Sequence, residues 1–299
     1  MFAASLLWIP FTILAAAGQT ARNAMQRELT AKLGTVGATH VRFLFGFPFA
    51  IVFLAGVFMA TGLPMPVPAW IFWPWVLLGA GAQIVATATM LATMNDRSFV
   101  VTIAYIKTEA IQAALFGLIF LGDAVTPGMV LAIVVATAGV VAMSLKGKGA
   151  TEGGSKPVLL GLFSGAMFAL SAVGYRGAIL SLGLPSFVLA ATLTLTTGLI
   201  LQAGLLTLYL ALRDHAVLRA IVNAWRPSLF AGFMGATASE FWFLAFALTS
   251  VANVRTLALI EVLFAQAISY FIFKQATAKR DAIGIVLIVI GVALLIWVQ

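Results

Sequence analysis

The chain has no cysteine, which excludes disulfides and thiolate metal sites and leaves cysteine usage silent about redox compartment. Charge is almost as scarce. Only 9% of the 299 residues are Asp, Glu, Lys or Arg, against about 25% in an ordinary soluble domain. The two histidines, His40 and His215, sit in different halves, and HExxH, Walker-loop and nucleophile-elbow patterns are all missing. The chain is therefore read as a non-enzyme, with no cofactor and no metal expected.

What it does have is apolar length. It is 63% hydrophobic with a mean hydropathy of +1.11, more than the interior of a soluble globule can take. A helix needs roughly 20 apolar residues to cross a bilayer, and about ten such runs are present, continuous rather than alternating as a barrel would require. The expected fold class is an all-α polytopic membrane protein. The formal charge of +8 is assigned to cytoplasmic loops and not to nucleic-acid binding.

A long repeat organises these runs. The stretch from Ser98 to Leu145 recurs from Ser250, pairing Ser98 with Ser250, Glu109 with Glu261 and Gly139 with Gly291 at a constant offset of 152 residues. The first span, Phe2 to Ala21, lacks the basic residues that precede a signal peptide's apolar core and is kept as a helix; its polar end, Gln19 to Arg27, is expected to run past the membrane boundary. The next spans are about Val41 to Ala60 and Trp70 to Met94, then the two of the first copy, broken at Gly122, Asp123 and Pro127. KGKGATEGGSK, Lys146 to Lys156, is the one flexible linker by composition. Spans at Leu159 to Leu180, Ser186 to Leu212 and Ser228 to Leu248 follow, then the two of the second copy. The chain thus divides into a repeat at 1–145, a linker at 146–157 and a repeat at 158–299. Five helices per half is an odd number, so the reading is ten transmembrane helices in two inverted five-helix repeats.

Connections after the odd-numbered spans carry most of the basic residues, among them Arg22, Arg27, Lys32, Arg213, Arg219 and Lys274. The positive-inside rule makes that side cytoplasmic and puts both termini outside. Small residues at Gly161 and Gly165, and at Gly128, Ala132 and Ala136, are read as packing inside one chain, and the protein is expected to act as a monomer.

Ionisable groups inside a bilayer are costly and must face protein or water. Here they are Lys107, Glu109, Glu240, Arg255 and Glu261, with Arg42 and Arg176 nearer the span ends. Tyr105, Glu109, Gln112 and Phe116 share one helical stripe, whereas Lys107 points elsewhere and needs a partner on another helix, Glu261 or Glu240. Glu240 has no acidic twin, which favours a substrate or proton role. Trp242 and Phe246 stack on one face beside it. Aromatic walls around a few charges suit a zwitterion with an apolar side chain. The candidate substrate-binding residues are Tyr105, Lys107, Glu109, Glu240, Trp242, Phe246 and Glu261. For the twinned glutamates, holding the fold is as good a reading as binding.

Glu109, the Gly122-Asp123 turn and Gly139, with Glu261 and Gly291 in the second copy, make the chain resemble the drug/metabolite transporter superfamily in its EamA-like, ten-helix form. It departs from the pattern at Lys274-Gln275, where a Gly-Glu turn is typical, and Ala110 and Val262 stand where proline often follows the acid. The resemblance implies a secondary carrier with a central cavity that works by alternating access. Within the superfamily the chain looks most like the bacterial aromatic amino acid exporters. That implies an inner-membrane protein exporting aromatic or other large apolar amino acids, with organic cations as further substrates. Nucleotide-sugar or sugar-phosphate exchange is the rival within the class. A non-transporting scaffold or sensor is the rival outside it.

Overall fold

The computed structural model describes residues 6–96, 99–144, 156–271 and 279–298. Most of the linker and the Lys274-Gln275 turn lie outside them. Among the described residues there are helices and no strands, as a bilayer-spanning chain requires to satisfy its backbone internally. In order they are α1 Trp8–Leu44, α2 Phe47–Thr61, α3 Phe72–Asp96, α4 Phe99–Ile106, α5 Glu109–Phe116, α6 Pro127–Ser144, α7 Lys156–Ser181, α8 Phe187–Arg213, α9 His215–Asn223, α10 Trp225–Leu248, α11 Val251–Leu257, α12 Glu261–Phe271 and α13 Lys279–Trp297. Five helical stretches, 25–61 and those of α3, α7, α8 and α10, are long and apolar enough to cross a membrane by themselves. Shorter apolar helices accompany them, and two spans are broken. α4 and α5, and α11 and α12, are each two halves of one span.

The first span ends later than the sequence suggested. Gly34, at φ 67° and ψ 174°, is the only non-helical residue inside α1, a conformation that costs glycine little. The chain turns there and not near Ala21. Gln19, Thr20, Arg22, Asn23 and Gln26, expected at a wet helix end, lie before that turn, and all but the half-buried Gln19 are buried. Lys156 and Pro157, expected to close the linker, open α7 instead, where a proline in the first turn gives up no hydrogen bond. The loop expected between the seventh and eighth spans is a short helix, α9, capped by Asp214 Oδ1, which accepts from Ala216 and Val217 N–H at 3.1 and 3.2 Å.

The packing has an internal two-fold. The three most extensive pairings are α3 with α7, α1 with α10, and α6 with α13. Counted as spans these are 3 with 6, 8 with 1, and 5 with 10, so the first two exchange and the third maps onto itself when the halves are swapped. The register agrees. A Cβ on Gly139 would stand 2.7 Å from Gly284 O and 2.9 Å from Ile288 N, and one on Gly291 would stand 2.8 Å from Ala132 O and 2.6 Å from Ala136 N. Every residue in the first contact is 152 positions from its counterpart in the second. This is isologous packing within one chain. The other small residues also pack within the chain: Gly161 under Tyr105, Gly165 on Ile106 O and Gly128 on Val298.

The two ends differ in charge. Gly37, just past the break in α1, packs on Val217 of α9, which brings the exposed Arg27 and Lys32 to the same end as Arg213, Arg219 and Arg226. At the other end Arg176 Nη2 meets Asp123 Oδ1 at 3.3 Å, while its Nη1 donates to the carbonyls of Phe246 and Thr249.

Candidate functional site

Both copies of the repeat break their helix at the same place. α4 stops at Ile106 and α5 restarts at Glu109; α11 stops at Leu257, a 3-10 turn covers Ala258–Ile260, and α12 restarts at Glu261. Shifting the break at 107–108 by 152 gives 259–260, within the 3-10 turn of the second copy. Each twin glutamate is thus the first residue of a half-helix, where its carboxylate faces the positive end of the dipole. Discontinuous helices at the meeting of two repeats are how carriers bring polar groups to mid-membrane.

From the two breaks a closed circuit of contacts can be followed. Glu261 Oε2 accepts from Lys107 Nζ at 2.6 Å, and Lys107 Nζ also meets Glu109 Oε1 at 3.5 Å. Glu109 Oε1 lies 3.6 Å from Arg255 Nη1. The Arg255 guanidinium sits 4.9 Å over the Trp242 ring and 5.3 Å over the Phe246 ring. Trp242 Nε1 donates to Gln19 Oε1 at 3.1 Å, and Gln19 Nε2 returns to Glu261 Oε2 at 2.9 Å. Gln19, Lys107, Glu109, Trp242, Arg255 and Glu261 so form a ring drawn from the first, fourth, eighth and ninth spans, and it ties the two halves together. Asn23 Nδ2 adds a 3.3 Å bond to Glu261 Oε1. The polar members inside this ring are buried: Lys107, Glu109 and Glu261 are each 1% exposed. Ions so placed have given up their hydration and hold their geometry through one another, so removing either member of a pair costs about 3–5 kcal/mol.

Next to the ring are two more cations. Arg22 is 0% and Arg42 2% exposed. Both pass over Gly235 of α10, where a Cβ would stand 3.3 Å from Arg22 Cδ and 3.4 Å from Arg42 Cγ. Gly235 is what leaves room for them. Arg22 Nη2 donates to Asn23 Oδ1 at 2.8 Å; Arg42 donates from Nη1 to Thr87 Oγ1 at 3.3 Å and from Nη2 to Ser239 Oγ at 3.4 Å. A cavity of about 10 Å³ lies between Arg22, Lys107, Glu109 and Glu261, room for roughly one water. The centre is shut in this conformation.

The structure gathers Lys107, Glu109, Trp242, Phe246 and Glu261 at this centre. It resolves Lys107's partner as Glu261, with Glu109 a weaker second contact. Two candidates fall elsewhere. Glu240 bonds to Thr192 Oγ1 at 2.5 Å and makes no ion pair among the described residues, so the Trp242–Phe246 stack, 6.3 Å between centroids, leans on Arg255 and not on Glu240. One residue of separation on a helix turns a side chain by about 100°, and two residues by about 200°, so Glu240 and Trp242 point to different sides. Tyr105 lies over Gly161 on α7, and the expected stripe through Tyr105 and Glu109 is interrupted by the break at 107–108. Gln19, Arg22 and Asn23 were missed by taking them as the helix's wet end. Their signal was in the sequence. Gln19, Arg22, Asn23 and Gln26 follow the i, i+3, i+4, i+7 pattern of one helix face, whereas a frayed end has no such period. Among the described residues no group of three or more His, Asp and Glu is placed to hold a metal ion.

Residues 155–297 match the EamA-like transporter family. That match covers a little under half of the chain and points to a transporter. No curated protein matches the chain. One protein of known crystal structure is similar over 99% of this chain and 99% of its own, with a TM-score of 0.71 and 16% sequence identity; at that identity the likeness shows the fold alone.

Proposed function

We propose that the protein is a secondary carrier that exports aromatic or other large apolar amino acids across a bacterial inner membrane, with both termini outside. The observation that carries this reading is the closed ring at the helix breaks. It joins charged groups from both halves through long, breakable contacts of 3.5 and 3.6 Å at Glu109 and borders an aromatic wall at Trp242 and Phe246. An amino acid offers a group for each part. Its ring replaces Arg255 against the indole, its ammonium competes with Lys107 and Arg255 for the carboxylates, and its carboxylate meets the freed cations. Opening the ring to one side and closing it on substrate is alternating access with the site fixed between the repeats. Four buried cations in the centre disfavour an organic cation as cargo.

Phosphorylated sugars remain a second reading for a specific reason: Arg22 and Arg42, which the sequence had not counted among the central residues, raise the number of buried cations in and beside the centre from two to four. Uptake of labelled phenylalanine, tryptophan and alanine into proteoliposomes, with and without an imposed pH gradient, tests the proposal. Saturable uptake of the aromatics above alanine is expected. Uptake of glucose 6-phosphate with no uptake of any amino acid overturns it in favour of the second reading.

A further inference from the structure

Arg22 and Arg42 differ from the other two central cations in making no ion pair with a carboxylate among the described residues, although Arg22 shares the central cavity with Glu109 and Glu261. Lys107 and Arg255 share Glu109 and Glu261. Among the described residues, by contrast, Arg22 bonds only to the neutral Asn23, and its Nε and Nη1 have no partner; Arg42 bonds to two hydroxyls and lies 5.3 Å over the Phe43 ring, with Nε unpartnered. The central group therefore holds four cations against two carboxylates. Burying a guanidinium without a paired carboxylate costs several kcal/mol, and this fold does it twice, side by side over Gly235, with Arg22 on the wall of the central cavity and Arg42 next to it.

We infer that Arg22 and Arg42 form the subsite for the acidic group, carboxylate or phosphate, of the transported molecule. A planar guanidinium with free N–H donors is suited to bidentate recognition of either anion. This inference rests on reading the centre as a carrier site and adds a rule about cargo. The acid is required and the amine is dispensable, because the centre already carries two more positive charges than negative ones. The anion also lowers the repulsion among the four cations, so the closed centre is favoured when it is bound.

The test compares three molecules with one ring: phenylalanine, phenylpyruvate, which keeps the acid without the amine, and phenylalaninamide, which keeps the amine without the acid. Each competes for labelled phenylalanine uptake by the wild-type protein in proteoliposomes. Each is also measured by its effect on the melting temperature of detergent-solubilised protein, together with glucose 6-phosphate and inorganic phosphate. Phenylpyruvate is expected to compete at least as well as phenylalanine, and phenylalaninamide at least tenfold worse. Arg22→Gln and Arg42→Gln should raise the half-saturating concentration of the acid tenfold or more, with Arg22→Lys and Arg42→Lys recovering part of the loss. If only glucose 6-phosphate or phosphate binds, the acid subsite is upheld and the amino acid reading falls. If phenylalaninamide is carried as well as phenylalanine, the carrier reading stands and the subsite is overturned. If neither carboxylate nor phosphate binds, the subsite is overturned too. The ligand comparison uses unaltered protein, so it decides the matter even where a variant does not fold.

Discussion

Replacing Glu261 with Gln removes one negative charge from the centre and keeps the shape. The side chain can still accept from Gln19 or from Asn23, though not from both, since the two donate to different carboxylate oxygens, and Lys107 loses its 2.6 Å anionic partner and keeps only Glu109 at 3.5 Å. Breaking a buried pair costs about 3–5 kcal/mol, and because Glu109 stays within reach the lower end, about 3 kcal/mol, is expected. For a chain of this length that is a fall in melting temperature of roughly 6 °C. Glu109→Gln should cost less, since both of its ionic contacts are long, even though the sequence presents the two glutamates as equals. Lys107→Met in the Glu261→Gln background should recover most of the loss, giving a coupling of about 2 kcal/mol in a double-mutant cycle. The assay is reversible unfolding of purified protein in mixed micelles, with thermal melting as a second readout. Equal stability of Glu261→Gln and wild type, or strict additivity with Lys107→Met, would refute the ring as a set of buried pairs.

Three further outcomes follow from particular contacts. Gly139→Ala and Gly291→Ala each push a methyl group into backbone atoms of the opposite helix, which cannot swing aside as a side-chain tip can; each should destabilise by about 1–3 kcal/mol, and the two by similar amounts, measured by the same unfolding assay. Asp123→Asn removes the ion pair that helps Arg176 hold the Asp123 turn to the end of α10; a thiol reagent applied from that end should then label a cysteine at the centre several-fold faster. Glu240→Gln should leave the half-saturating substrate concentration within about twofold, because Thr192 and not the ring is its partner; a tenfold change would return Glu240 to the substrate site.

Much of this was legible in the chain itself. The offset that pairs Glu109 with Glu261 and Gly139 with Gly291 is a pattern of identities, and the fold obeys it down to which backbone atoms each glycine meets. The need for a cross-helix partner for Lys107 followed from its position two residues from Glu109. Less was legible where a decision turned on helix ends or on three-dimensional neighbours. Arg22 lies close to where an apolar run fades into polar residues, and hydropathy reads that as a membrane edge; only the helical period of Gln19, Arg22, Asn23 and Gln26 shows a polar face turned inward. Glu240 and Trp242 are neighbours in sequence that the helix sends apart, whereas Trp242 and Arg255 are brought together by packing that no local pattern encodes. The helix breaks before the two glutamates carry no proline or glycine, so nothing at 106–108 or 258–260 announced them.

The lack of native cysteine makes the most direct test simple, since any thiol introduced is the only one. Met90 lines the central cavity from α3, and Met90→Cys puts that thiol at the centre with little change in shape. The measurement is its labelling by a membrane-impermeant maleimide applied from one face and then from the other, in vesicles of known orientation, with and without substrate. The account predicts labelling from both faces, with substrate shifting the balance between them. Labelling from one face alone, or from neither, with no response to any substrate, would contradict a carrier that alternates around this ring and would leave a static membrane scaffold.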